Sequence, residues 1–129
     1  MISDLKSQDS TPEDLVVQLH SILEPLNPSE LFPQPQPLEV ELGCGDASFL
    51  VEYARRHTER NFIGVERLLG RLVKLDRKGR RAGLTNLRGV RIESSYFLEY
   101  LLPRHSVSLF AFMSMRILSP LACEDGLTR

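Results

Sequence analysis

With 129 residues, 42% of them hydrophobic and 26% charged, the chain is sized for one soluble domain that buries about two thirds of its unfolded surface and folds without staples. Two cysteines outside any C-x-x-C pair, Cys44 and Cys123, and three scattered histidines, His20, His57 and His105, argue against a disulfide framework or a zinc site and for a reducing compartment. The acidic opening MISDLKSQDS and the lack of any apolar run of membrane length argue against a signal peptide and a spanning helix, so a cytoplasmic location is expected.

In chain order, Ser10 or Thr11 followed by Pro12, Glu13 and Asp14 reads as a helix start, with a capping hydroxyl, a proline in the first turn and acids beside it. Leu15, Val16, Leu19, Ile22 and Leu23 then recur at helical spacing, which predicts an N-terminal helix ending at Pro25. Five prolines between Pro25 and Pro37 remove backbone donors and predict an extended linker or strap. Leu38–Leu42 reads as a strand, Ala47–His57 as a helix with Phe49, Leu50, Tyr53 and Ala54 on one side, and Asn61–Glu66 as a second strand. The second helix is expected over Arg67–Ala82, its apolar face made by Leu68, Leu69, Leu72, Val73 and Leu75, with Gly83 as its left-handed stop. Leu87–Ile92 is a third strand, Tyr96–Leu102 a short helix and Ser106–Phe112 a fourth strand. Strands alternating with helices at this spacing imply right-handed crossovers and an α/β fold with a parallel sheet and flanking helices. Residues 1–30 then form the N-terminal helix and the start of the strap, 31–112 the core and 113–129 an atypical tail.

The net charge of −1 hides a strong asymmetry. Residues 1–52 hold ten acids and one base, Lys6, whereas residues 53–91 hold twelve bases against Glu59, Glu66 and Asp76. A block of this kind suits a polyanionic partner, with a solvated helix face as the plainer alternative. Arg67, Arg71, Lys74, Lys78 and Arg81 recur every three or four residues, one stripe along the second helix on which phosphates can dock. Tyr53, Phe97 and Tyr100 are expected in the core rather than as base-stacking platforms.

Gly43-Cys44-Gly45 follows the first strand and opens the first helix. A glycine turn there brings backbone N–H groups to a helix N-terminus at the mouth where open α/β sheets bind ligands. Ala47 stands where a dinucleotide fingerprint has its third glycine, so the motif alone is a weak signal, with a ligand-free tight turn as the lesser alternative. Charge separates the candidates. Glu41 lies inside the end of the first strand and Asp46 at the helix cap; if both flank a bound diphosphate, each unit repulsion at about 4 Å and an effective dielectric of about 20 costs on the order of 4 kcal/mol. A ligand carrying positive charge gains instead, and S-adenosylmethionine offers a sulfonium and an ammonium on an adenosine. Glu66 ends the second strand, where an acid accepts ribose hydroxyls. Glu93, at the end of the third strand, is placed to meet the adenine edge, with Ser94 and Ser95 beside it. The expected cofactor residues are therefore Glu41, Gly43, Gly45, Glu66 and Glu93.

The strings LEVELGCGDASFLVEYA, NFIGVER, GLTNLRGVRIESSYFL and YLLPRHSVSLF resemble the bacterial tRNA (guanine-N7-)-methyltransferase family, from about Leu31 to Phe112. The resemblance implies a Rossmann-like S-adenosylmethionine core truncated after about four strands, tRNA as partner, and Glu41, Glu66 and Glu93 as cofactor contacts. Members of the family usually have aspartate followed by alanine where Glu93 stands. They follow the fourth strand with an aromatic turn into Asp-Pro-Trp-Pro and a basic cluster, whereas this chain reads MSMRILSPLACEDGLTR and contains no tryptophan. That break predicts a reading-frame shift or a truncated gene near Phe112, with a genuine short variant tail as the alternative, and it leaves no catalytic residue to assign. Two other readings stay open: a non-catalytic nucleoside-binding remnant, and a methyltransferase with a different acceptor. A dehydrogenase-like dinucleotide module is the reading that the acids around the turn oppose.

Overall fold

Leu38–Leu42 forms the first strand, β1, and all five residues are buried, as in a strand covered on both faces. The computed structural model describes residues 14–107 and the backbone of residues 109–112. Asn61–Glu66 (β2) and Leu87–Arg91 (β3) lie successively to one side of β1, and Leu109–Phe112 (β4) lies on the other. The result is a four-stranded parallel sheet in the order β3-β2-β1-β4, which bears out the expected α/β, Rossmann-like architecture. The connections run outward from β1 to β3 and then reverse to β4, so the strand order switches direction at β1. Open α/β sheets bind ligands outside the carboxyl ends of their strands at such a switch.

Ser48–Arg56 (α2) and Leu69–Arg81 (α3) cover one face of the sheet. Leu50, Val51 and Ala54 from α2 and Leu72 and Leu75 from α3 meet Cys44, Phe62 and Leu87 in one apolar cluster. On the other face Leu38, Val40, Leu42, Ile63, Val65 and Val90 pack with Phe32, Phe97 and Leu101. Gly64, in register with Glu41 on β1 and Gly89 on β3, lets the glycine turn and α2 lie close to the sheet. A Cβ added there would stand 2.8 Å from Leu50 Cδ2 and 2.9 Å from Cys44 Sγ. The Asn86 side-chain amide closes the far end of α2, donating to the carbonyl oxygens of Ala54, His57 and Arg60 at 3.1, 3.1 and 2.9 Å.

Among the described residues the N-terminal helix is not formed: Asp14–Pro25 is extended or bent, and the expected capping residues Ser10, Thr11 and Pro12 lie outside the described residues. Val16 makes a parallel bridge to Gly89, with Gly89 N donating to Leu15 O at 3.0 Å and Val17 N to Gly89 O at 2.8 Å. Leu15 N donates to Asp76 Oδ1 on α3. Val17 N and Leu15 O thus serve the edge of β3, and Leu15 N serves α3, instead of an i→i−4 ladder. Leu15 enters one cluster while Val17 and Leu19 reach the other, and Ile22 and Leu23 are exposed. The chain then crosses the second face as a strap, with Leu26 N donating to Leu101 O. The proline-rich stretch is not wholly extended, because Asn27 caps a four-residue helix, Pro28–Leu31 (α1), by accepting from Ser29 N; its Leu31 and the following Phe32 face the core.

Three features also differ from expectation. α3 begins at Leu69, and its buried face is Leu72, Leu75 and Gly79, whereas Leu68, Leu69 and Val73 are about half exposed. At 100° per residue, Val73 is turned off the stripe that Leu72 and Leu75 define. The expected helix after β3 is a short one, Ser94–Tyr96 (α4), continued by a π-helical turn, Phe97–Leu101. Of the aromatics expected in the core, Phe97 is buried and Tyr53 packs between Phe49 and Phe62, but Tyr100 is exposed.

Candidate functional site

The turn between β1 and α2 is built from alternating left-handed residues: Gly43 at φ 70°, Gly45 at φ 60° and Ala47 at φ 64°. Glycine adopts this region freely, whereas an L-residue such as Ala47 pays about 1–2 kcal/mol. A non-glycine residue held there is the kind of local strain that clusters at ligand sites. Gly43 N and Cys44 N both donate to Val65 O, at 2.8 and 3.1 Å, and Ala47 N donates to Cys44 O at 3.0 Å. The turn is thereby tied to the tip of β2.

Glu66, buried at 7% exposure, completes that tie. Its Oε1 accepts from Gly45 N at 3.2 Å, and its Oε2 accepts from Arg67 N at 3.0 Å and Leu68 N at 3.1 Å. Arg71 Nη1 on α3 stands 3.7 Å from Oε1. One carboxylate thus organises the glycine turn of β1 and the first residues after β2 together.

The other expected residues are placed differently. Glu41 is buried at 2% exposure within the sheet, in register with Gly64 and Ala111, and not on the rim of the turn. Asp46 faces solvent. Its Oδ1 accepts from Ser48 N at 3.0 Å, and Lys78 Nζ lies 3.4 Å from Oδ2; hydrogen bonds from the Ser48 backbone and hydroxyl, and less strongly the ammonium, hold its carboxyl below the usual range. The two acids therefore do not flank the turn as a pair of uncompensated charges, and the rim is less negative than the bare sequence implies. Glu93 lies two residues beyond β3 and is exposed, accepting from Ser95 N at 2.9 Å and Tyr96 N at 3.0 Å as the cap of α4. Those amide bonds hold its carboxyl below the usual range.

Cys44 is wholly buried, and burial first, with the charge of Glu66 second, pushes its thiol up to about 12. It is a packing residue here, since nucleophilic cysteines need the thiolate. The folded-state value lies above the ordinary 9.0, so the folded chain holds this proton more tightly than the unfolded chain. Its contribution to stability is therefore complete below about 9 and lost as pH rises towards about 12. Cys44→Ala is expected to flatten the fall in stability with pH across that window, measured by urea titration. Alkylation of Cys44 by iodoacetamide at pH 8 should be negligible until the chain is unfolded.

The basic stripe is also partly committed. Arg71 faces Glu66, and Lys78 reaches Asp46 and Ser48. Neither tie is visible in the sequence, because each depends on how α3 lies against the loops after β1 and β2. Among the described residues no group of three or more His, Cys, Asp or Glu side chains could hold a metal ion, and no helix is long and apolar enough to cross a membrane.

A parallel sheet with this strand order, a glycine turn after β1 and an acid at the tip of β2 tied to that turn define a Rossmann-like architecture. Residues 35–113 match the family described as putative methyltransferase, and the chain belongs to that family. Curated proteins to which it is similar include several named tRNA (guanine-N(7)-)-methyltransferase. The protein of Thermotoga maritima is 40% identical over 83 residues, 64% of this chain and 26% of its own length. That of Levilactobacillus brevis is 45% identical over 67 residues, 50% of this chain and 31% of its own, and that of Aeromonas hydrophila 32% identical over 105 residues, 80% and 44%. The chain thus spans between about a quarter and under half of these relatives.

Proposed function

We propose that this chain binds S-adenosylmethionine at the mouth formed by the Gly43–Ala47 turn and the tips of β1, β2 and β3, and that it serves the methylation of guanine N7 in tRNA, in the cytoplasm. The observation that carries the reading is the bond from Gly45 N to Glu66 Oε1 at 3.2 Å. It joins the turn that admits close backbone approach to the acid placed for ribose hydroxyls. A carboxylate has about four acceptor sites, so the three backbone donors on Glu66 leave capacity for a sugar hydroxyl. Gly43 and Gly45 would line the amino-acid and ribose side, and Glu93 with Ser94 and Ser95 the base side. Glu41 would support the turn from within the sheet.

When bound, the cofactor supplies an electrophilic methyl group on a sulfonium. Guanine N7 offers a lone pair and carries no proton, so the protein needs no strong general base. Its task is to hold donor and acceptor in line and to stabilise the cation that forms on the base. The names of the relatives, tRNA (guanine-N(7)-)-methyltransferase, support the acceptor assignment, and the excess of bases over residues 53–91 supports a polyanionic partner.

Calorimetry on the 129-residue chain should show uptake of S-adenosylhomocysteine and none of NADH; tight NADH binding with no response to S-adenosylhomocysteine would overturn the reading. A second reading, cofactor binding without methyl transfer by this chain alone, is favoured by the limited span of the relatives that it covers. Incubation with unmodified tRNA and labelled donor separates the two. We expect S-adenosylhomocysteine binding with little or no label transferred, and robust transfer would remove the second reading. Any tRNA binding should weaken steeply between 50 and 200 mM salt, by about tenfold or more if several phosphates are contacted.

A further inference from the structure

We infer that Lys78 is a positioning residue of the cofactor turn rather than a phosphate contact of the basic stripe, an inference that rests on the cofactor reading above. Its Nζ donates to Ser48 Oγ at 2.6 Å and to Asp46 O at 3.0 Å, and it lies 3.4 Å from Asp46 Oδ2. An ammonium has three donors and no acceptor, and here two hydrogen bonds and an ion pair all fall on one three-residue corner. That corner contains Ala47 in its left-handed conformation and opens α2, which has no side-chain cap of its own.

Two observations separate this role from generic stabilisation. First, a positive charge beside a helix N-terminus runs against the helix dipole, so Lys78 gains nothing from α2 as a helix; what it gains is the carbonyl, hydroxyl and carboxylate of the turn. Second, its stripe neighbours Lys74 and Arg81 are exposed, whereas Lys78 is only 32% exposed and reaches across to residues 30 and 32 positions earlier. With Arg71 set against Glu66, α3 braces the site from two sides: one basic residue at the acid of β2 and one at the corner of the glycine turn. Lys78 holds the turn in the shape that receives the cofactor and offsets the charge of Asp46 beside it.

The test uses the full chain, with S-adenosylhomocysteine calorimetry and backbone amide exchange read in parallel. Lys78→Met should weaken S-adenosylhomocysteine by about tenfold, the scale expected when a binding loop loses its preorganisation, and should speed exchange at Ser48 while leaving Ile63 in β2 protected. Lys78→Arg should recover most of the affinity, because a charged donor is restored. Ser48→Ala, which removes only the hydroxyl partner, should shift both readouts in the same direction by less. Wild-type affinity in Lys78→Met, or a uniform loss of protection across the sheet, would overturn the inference. So would a selective loss of tRNA binding with S-adenosylhomocysteine affinity and Ser48 exchange unchanged. If the wild-type chain takes up no S-adenosylhomocysteine, the cofactor reading fails, while the exchange at Ser48 still decides whether Lys78 holds the turn.

Discussion

Glu66→Ala is expected to raise the dissociation constant for S-adenosylhomocysteine by about a hundredfold, since a hydrogen bond to a charged group contributes about 1.5–3 kcal/mol and the turn that shapes the pocket loosens as well. The carboxylate takes bonds from Gly45 N, Arg67 N and Leu68 N, so its removal orphans three donors at once. A buried donor left without a partner costs about 1–3 kcal/mol, and Gly45 is buried; the variant should therefore also lose about 2 kcal/mol of stability in a urea titration. Glu66→Gln keeps one oxygen but turns an N–H₂ towards backbone N–H groups. It should fall between the two in stability and still bind at least about tenfold more weakly. Binding by Glu66→Ala within threefold of wild type would remove Glu66 from the site.

The largest effect on folding is expected from Gly64→Val. The first carbon of any side chain there would stand 2.8 Å from Leu50 Cδ2 and 2.9 Å from Cys44 Sγ, and valine adds two methyl groups beyond it. Overpacking a well-filled core costs typically about 1–3 kcal/mol, and here the displaced groups belong to α2 and to the turn itself. We expect a loss of about 3 kcal/mol or more, a large part of the roughly 5–15 kcal/mol that holds a domain together, so the variant should be largely insoluble or unfold well below wild type. Gly64→Ala should be milder. Reversible melting at the wild-type midpoint for the valine variant would show that the turn does not pack on the sheet as described.

Much of the core was legible because its elements are locally consistent. β1 and β2 are buried runs of five and six residues, and the glycine turn sits where a strand hands over to a helix. The Asn86 side chain and the backbone at Gly83 carry out jobs their residue types favour, the latter at φ 68° just after α3. The failures have a common cause in partners remote in sequence. Leu15, Val16, Leu19, Ile22 and Leu23 satisfy a helical period, yet the N–H of Leu15 is claimed by Asp76, 61 positions away. LEVEL alternates apolar and acidic residues, a pattern that by itself turns both acids to a solvated face, yet all five residues are buried, with Glu41 inside the sheet and Glu66 shaping the mouth. The compensation of Asp46 by Lys78 was equally hidden, and it weakens the charge argument against a diphosphate; the bond between Gly45 and Glu66 supplies the firmer ground.

The strap imposes an order on assembly. Its edge-strand partner, Gly89, is synthesised long after Leu15–Val17, so those residues must wait, unsatisfied, while the polypeptide grows past β1 and β2. Loop closure over such distances is slow, and until it happens the outer backbone of β3 stays open to pairing with another molecule. Yield from a crowded translation system is therefore sensitive to how quickly the earlier segment finds the later edge.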